Sequence, residues 1–95
     1  MVEKAKVLMM VGAGDALKYK RENPNADSQE ILRHIMSNFR AKSEFKVFAI
    51  AAASKALEYK EKNRNATEKE IMQKVMDESN EILKSSLESS TPDRE

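Results

Sequence analysis

Apolar residues recur at helical spacing, three and four positions apart, in four segments of the chain. In the second segment, for example, Ile31, Leu32, Ile35, Met36 and Phe39 form one amphipathic stripe. The pattern predicts helices over about Glu3–Glu22, Ser28–Arg40, Glu44–Lys62 and, beginning after Thr67, through Leu87.

The first and third helices carry broad apolar stripes that are predicted to lie in the core and include Val7, Val11 and Val47, with small residues in the middle. Gly12 and Gly14 lie inside the first helix, where each glycine costs about 1 kcal/mol of helix propensity relative to alanine. The third helix has Ala51, Ala52 and Ala53 in the same region. We therefore expect the backbone of a neighbouring helix to approach closely at the two glycines.

The chain contains a tandem repeat with a period of forty residues. Residues 6–36 and 46–76 align without a gap and are identical at 13 of 31 positions. The best-conserved part is Ala-Leu-x-Tyr-Lys followed by Asn-x-Asn-Ala, which ends one predicted helix and begins the next. Each copy is therefore predicted to be a helical hairpin.

The connection inside each hairpin combines a helix stop with a helix start. Asn23 and Asn63 occupy the position after the helix, where a left-handed backbone conformation is expected, and Pro24 prevents the first helix from continuing. The next helices are predicted to begin with capping boxes, Asp27 with Glu30 and Thr67 with Glu70.

Four amphipathic helices with short connections predict an all-α fold, an antiparallel up-down-up-down four-helix bundle built from two tandem hairpins. The expected domain is 1–88, with repeat one at 3–40, repeat two at 43–88 and a disordered tail at 89–95. Helices 1 and 3 should be parallel, with Asp15 and Lys55 facing solvent rather than forming an ion pair. A dimer that exchanges helices through the connector 41–43 remains open.

The amino-acid composition excludes some kinds of site and of protein. The 95 residues include no cysteine, which excludes disulfides and thiolate metal sites, and the net charge is only +1. The apolar runs near Val7 and Val47 are shorter than the ~20 residues of a membrane span, so we expect a soluble, cytoplasmic protein without membrane contact. Abundant lysine and glutamate would also suit a thermostable protein.

The sequence predicts no enzyme, no cofactor and no metal site, because polar groups do not converge on the apolar faces. Ser37 and Ser54 lack a base at an activating spacing, and no Glu-x-x-His pair or glycine-rich phosphate loop is present. The single histidine, His34, corresponds to Lys74 in the second repeat, which indicates a surface position.

The methionines fall on the apolar stripes and are predicted to fill the core; the alternative is an adaptable groove for a partner helix or an apolar ligand. The residues concerned are Met9, Met10, Met36, Met72 and Met76.

Basic residues gather at one end of the predicted bundle, near the N-termini of helices 1 and 3, where the helix dipole disfavours cations. They are a candidate anion-binding site made of Lys4, Lys6, Arg40, Lys42 and Lys46. The competing interpretation is internal neutralisation by Glu3 and Glu44, which lie close by, and by the acidic end of helix 4, through Asp77, Glu78, Glu81 and Glu88.

Taken together, these features predict a small non-enzymatic interaction module, which acts through an unknown protein partner or as a homo-oligomer. The alternative is a protein that binds nucleic acid or another polyanion through the basic end.

Overall fold

A computed structural model describes the backbone of residues 2–39 and 43–90, and the side chains of residues 4–39 and 45–85. The described backbone is all-helical and folds into a body of 41 × 26 × 23 Å. Its five helices are α1 (Val2–Glu22), α2 (Ser28–Asn38), α3 (Ser43–Lys62), α4 (Glu68–Asp77) and α5 (Ser79–Ser90).

Helices α1 and α3 run parallel to each other through the centre of the structure. Near their N-termini, Lys4 Nζ lies 5.3 Å from the centre of the Phe45 ring, and near their C-termini Lys20 and Lys60 border the same surface hollow. The seam between the two helices consists of small residues that are completely buried, namely Ala13, Ala16, Ala49, Ala52, Ala53 and Ala56.

Gly12 confirms the close approach expected from the sequence, whereas Gly14 does not. A Cβ atom added to Gly12 would lie 2.6 Å from the carbonyl oxygen of Ala49, so only glycine fits there. A Cβ atom added to Gly14 would meet nothing closer than Cε of Met72, at an ordinary 3.6 Å.

The flanking helices cover the two sides of the seam and complete two core clusters. On one side α2 contributes Ile31 and Ile35, which pack with Ala16, Ala49 and Leu57. On the other side α4 and α5 contribute the buried residues Ile71, Val75, Ile82 and Leu83, which pack with Met9, Ala13, Leu17 and Ala52.

The connections inside the two hairpins have the same structure, but it is not the one expected. No described residue has a positive φ angle, so the expectation of left-handed Asn23 and Asn63 is wrong. Each asparagine instead accepts a hydrogen bond at its carbonyl from the alanine three residues later, at 2.9 Å for Ala26 and 3.0 Å for Ala66. The chain thus leaves the helix through a β-turn, for which Pro24 in the second position is well suited.

A lysine side chain holds each of these turns. Lys20 Nζ donates to the carbonyl oxygens of Pro24 and Ala26 at 3.0 and 2.9 Å. Lys60 Nζ donates to those of Arg64 and Ala66 at 3.3 and 3.0 Å. The lysine in the Tyr-Lys pair of each repeat is therefore a structural residue.

The capping box at Thr67 is confirmed in full, because Thr67 Oγ1 accepts from the Glu70 amide and Glu70 Oε1 accepts from the Thr67 amide. At Asp27 only half of the box forms. Asp27 accepts from the Glu30 amide at 2.8 Å, but the Glu30 carboxylate accepts instead from the hydroxyl of Tyr19.

The expected single fourth helix is divided into α4 and α5 at Glu78. The Glu78 amide donates to the carbonyl oxygens of Lys74 and Met76, and the Ile82 amide donates to the carbonyl oxygen of Glu78. The Glu78 carboxylate accepts a hydrogen bond from the Tyr59 hydroxyl, which ties the break to α3.

The C-terminal helix reaches Ser90 and so includes the first two residues of the predicted tail 89–95. Residues 91–95 lie outside the described part, as do residues 40–42 of the connector between α2 and α3. Asp15 and Lys55 are both exposed, as expected, and Lys55 pairs with Glu58 of its own helix.

We expect Gly12→Ala to lower the free energy of unfolding by about 1–3 kcal/mol, because the Ala49 carbonyl belongs to a helix backbone that cannot yield locally. The matched control, Gly14→Ala, should raise it by up to about 1 kcal/mol through helix propensity alone. Urea unfolding followed by circular dichroism measures both, and equal effects would contradict the close approach at Gly12.

Candidate functional site

An open apolar groove lies along α3, between α2 on one side and the junction of α4 and α5 on the other. Its volume is about 550 Å³. We call it the α3 groove; it is lined by Leu32, Met36, Val47, Ile50, Ala51, Ser54, Lys55, Glu78, Glu81, Ile82 and Ser85. Apolar side chains form its floor, and the charged groups lie along its rim.

A related apolar surface lies on α1, and we call it the α1 face. Val7 and Val11 are 61% and 45% exposed, and Met76 of α4 is 53% exposed. Met10 and Met72 are half-buried close by. In the repeat these residues correspond to Val47, Ala51, Met36, Ile50 and Leu32 of the α3 groove.

The expectation that all five methionines fill the core is wrong for two of them. Met9 is completely buried, but Met36 and Met76 are about half exposed, at 48% and 53%. The apolar stripe of α2 is two residues wide, and only Ile31 and Ile35 face the seam between α1 and α3. Leu32 and Met36, which directly follow these two isoleucines, are turned about 100° further around the helix and lie at the edge of the groove.

Glu78, on the rim of the α3 groove, forms a coupled pair with Tyr59 of α3. Burial and the hydrogen bond to Glu78 raise the pKa of Tyr59 to about 12. The same hydrogen bond lowers the pKa of Glu78, with a further contribution from Lys74, whose Nζ lies 3.5 Å from the carboxylate. Glu78 therefore stays ionised, and its carboxylate anchors the α4–α5 break beside the groove.

The equivalent tyrosine of the first repeat has different partners. The Tyr19 ring stacks on His34, with 4.3 Å between ring centroids, and Lys74 correspondingly lies 5.2 Å above the Tyr59 ring. His34 is exposed, as expected, and Asn38 bonds both its ring and its carbonyl. These contacts give His34 a packing role.

The structure describes three of the five residues of the candidate anion site. Lys46 Nζ donates to the Met36 carbonyl at 3.3 Å and thereby caps the end of α2, while Lys4 lies over Phe45. Lys6 is half-buried. Arg40 and Lys42 lie outside the described residues.

The acidic end of the chain does not neutralise these lysines in the described part. Asp77 accepts from Gln73 at 3.0 Å, and Glu78 is held by Tyr59 and Lys74. Glu81 lies on the rim of the α3 groove, and the side chains of Glu3, Glu44 and Glu88 lie outside the described part. Within the described side chains, no carboxylate forms an ion pair with Lys4, Lys6 or Lys46.

Among the described residues, no group of three or more histidine, aspartate or glutamate side chains is placed to hold a metal ion. Nor is any described helix both long enough and apolar enough to span a membrane.

Sequence reasoning missed the exposed valines Val7, Val11 and Val47, which it assigned to core stripes. One signal could have identified an outer face. Val7 and Val11 are four residues apart, and the charged residues Lys4 and Asp15 precede and follow them at helical spacing, so all four share one side of the helix.

Comparison of the chain with protein-family models, curated proteins and solved structures found no match.

The pKa of Tyr59 can be tested in Tyr19→Phe, which leaves Tyr59 as the only tyrosine. We expect it to titrate well above its ordinary value of 10.0, near 12, in an ultraviolet pH titration. Adding Glu78→Gln should lower the pKa only part of the way, because burial is the larger cause. Since folding raises this pKa, the contribution to stability is complete below pH 10 and is lost as the pH rises toward 12. An unchanged pKa after Glu78→Gln would contradict the coupling.

Proposed function

We propose that the chain is a non-enzymatic interaction module that binds a helix of a protein partner in the α3 groove. The observation that carries this proposal is the uncovered apolar surface of the groove, where Met36 and Val47 are 48% and 41% exposed. Exposed apolar surface of this kind, bordered by polar groups, is typical of interaction sites.

The shape and chemistry of the groove support a helical occupant. The groove runs alongside α3, its floor is apolar, and methionine at its edge can adapt to the side chains of a partner. Its polar groups are spread along the rim, and Lys55 and Glu78 are occupied by ion pairs within the chain. That distribution suits recognition at the margins of a helix better than catalysis at one point.

We also propose that the fold is an antiparallel four-helix bundle produced by duplication of a hairpin, in which α4 and α5 together form the fourth helix. The parallel direction of α1 and α3 supports this arrangement, as does the equal bonding of Lys20 and Lys60 in the two turns.

The groove can be tested by placing the photo-crosslinking residue p-benzoylphenylalanine at Ser54, an exposed position on the lining of the groove. The matched control carries it at Gln73, which is exposed on α4 outside the groove. We expect crosslinked adducts in the source cells at position 54 and not at 73, and adding Ala51→Glu should abolish them. Mass spectrometry then identifies the partner.

Two outcomes of the crosslinking experiment would contradict the proposal. Adducts of the same kind and yield at positions 54 and 73, or none at position 54, would rule out the groove as the binding surface.

Polyanion binding through Lys4, Lys6, Arg40, Lys42 and Lys46 is the second candidate function. It is favoured by the lack of ion-paired carboxylates at Lys4, Lys6 and Lys46 among the described side chains. It predicts amide chemical-shift changes at these residues when a short DNA duplex is added, and the changes should fade steeply as salt rises. An unchanged spectrum at low salt would exclude this function.

A further inference from the structure

The outer surfaces of α1 and α3 carry opposite charges at equivalent positions of the repeat. We call these surfaces the α1 stripe (Lys4, Val7, Val11, Asp15, Lys18, Glu22) and the α3 stripe (Glu44, Val47, Ala51, Lys55, Glu58, Lys62). All four charged positions change sign between the stripes, and the two middle positions are apolar in both. Every member whose side chain is described is exposed or half-buried; Glu44 is placed by its position in the repeat alone.

Charged residues that hold the turns and helix starts keep their sign. Lys20 and Lys60 do so at the turns, as do the glutamates Glu30 and Glu70 at the helix starts. The change of sign therefore spares these residues and includes every charged position of the stripes; outside the stripes it also occurs at Arg21, which corresponds to Glu61.

Pairing within a single helix does not explain the reversal. In α3, Glu58 lies 3.7 Å from Lys55 and 3.2 Å from Lys62, so alternating charges support that helix. An alternating series supports a helix with either sign first, but an acidic residue four positions before a basic one is the better order. That order is present in α3, with Glu58 before Lys62, and is reversed in α1, with Lys18 before Glu22, so pairing within the helix does not favour the order found in α1.

We propose that the occupant of the α3 groove is the α1 stripe of a second copy of this chain. This inference rests on the proposed function and names its partner. With the two helices parallel and in the register of the repeat, Asp15 lies opposite Lys55, Lys18 opposite Glu58 and Glu22 opposite Lys62, and the sequence position that corresponds to Lys4 is Glu44.

The apolar centres of the two stripes also fit. Val11 of the α1 stripe corresponds to Ala51 of the α3 stripe, so the larger valine side chain of one copy would pack against the smaller alanine in the groove of the other. Val7 is 61% exposed and meets Val47 at the same level. The contact buries both valines, which supplies the apolar part of the association.

Among parallel arrangements, the charges select this pairing over the packing of a stripe on its own copy. In the same parallel register, two identical stripes would oppose like charges at all four charged positions, which is unfavourable. The α1 stripe points away from the seam on one side and the α3 stripe on the other, because Ala13 and Ala53 face the seam. Association is therefore head to tail and extends beyond a dimer.

The test is a charge exchange between two variants. Variant one carries Asp15→Lys and Lys18→Glu, and variant two carries Lys55→Glu and Glu58→Lys. In each variant alone the altered stripe meets like charges on the next copy. In an equal mixture the altered α1 stripe of variant one meets the altered α3 stripe of variant two, and the unaltered stripes meet each other.

Sedimentation velocity at low salt measures the outcome. We expect the unaltered chain to associate more as its concentration rises, and each variant alone to need about tenfold or more higher concentration. The equal mixture should recover the association of the unaltered chain. Circular dichroism is the control for folding. We expect both variants to keep their helix content, because none of the substituted positions is buried.

Three results would overturn the inference: an unaltered chain that stays monomeric at all concentrations, variants that associate as well as it does, or a mixture that fails to recover. None of these three results by itself contradicts the proposed function, which the crosslinking experiment tests. A crosslink from position 54 to a different protein would retain the α3 groove as a binding site and remove only the second copy, whereas the absence of any crosslink there would remove the groove itself.

Discussion

The contact between α1 and α3 is the constraint on which the rest of the structure depends. Because Gly12 and the alanines of the seam have almost no side chain, the two helix backbones lie closer together than larger residues would allow. The remaining helices then occupy the two sides of this pair, α2 on one and α4 with α5 on the other. No described helix is left to cover the outer surfaces of α1 and α3, which is why valine and methionine side chains remain exposed there.

The two repeats show which features of a hairpin are fixed and which can change. The tyrosine and lysine at the end of the first helix are identical in both copies, and the lysine has the same partners. The tyrosines differ, since Tyr19 bonds Glu30 and stacks on His34, whereas Tyr59 bonds Glu78. One side chain in the same place thus serves a helix start in one copy and a helix break in the other.

Helix positions were predictable from the sequence because spacing, capping residues and the repeat all indicated the same boundaries. The turn at Asn23 was not, since an asparagine after a helix is compatible with both a left-handed residue and a β-turn. The exposure of Val7 and Met36 was also hidden, because periodicity shows which residues share a face but not which face a neighbouring helix covers. The helix break at Glu78 is bonded by Tyr59, nineteen residues away, and such contacts leave no local signal.

The seam of small residues also affects how stability depends on temperature. Eight of the 18 buried apolar residues in the described part are alanines, and each removes only one methyl group from water. We therefore expect unfolding to expose less apolar surface per residue and its heat-capacity change to fall below the usual value of about 12–15 cal/mol/K per residue. A smaller heat-capacity change flattens the curve of unfolding free energy against temperature. The consequence expected for this fold is a similar margin of stability over a wide range of temperatures.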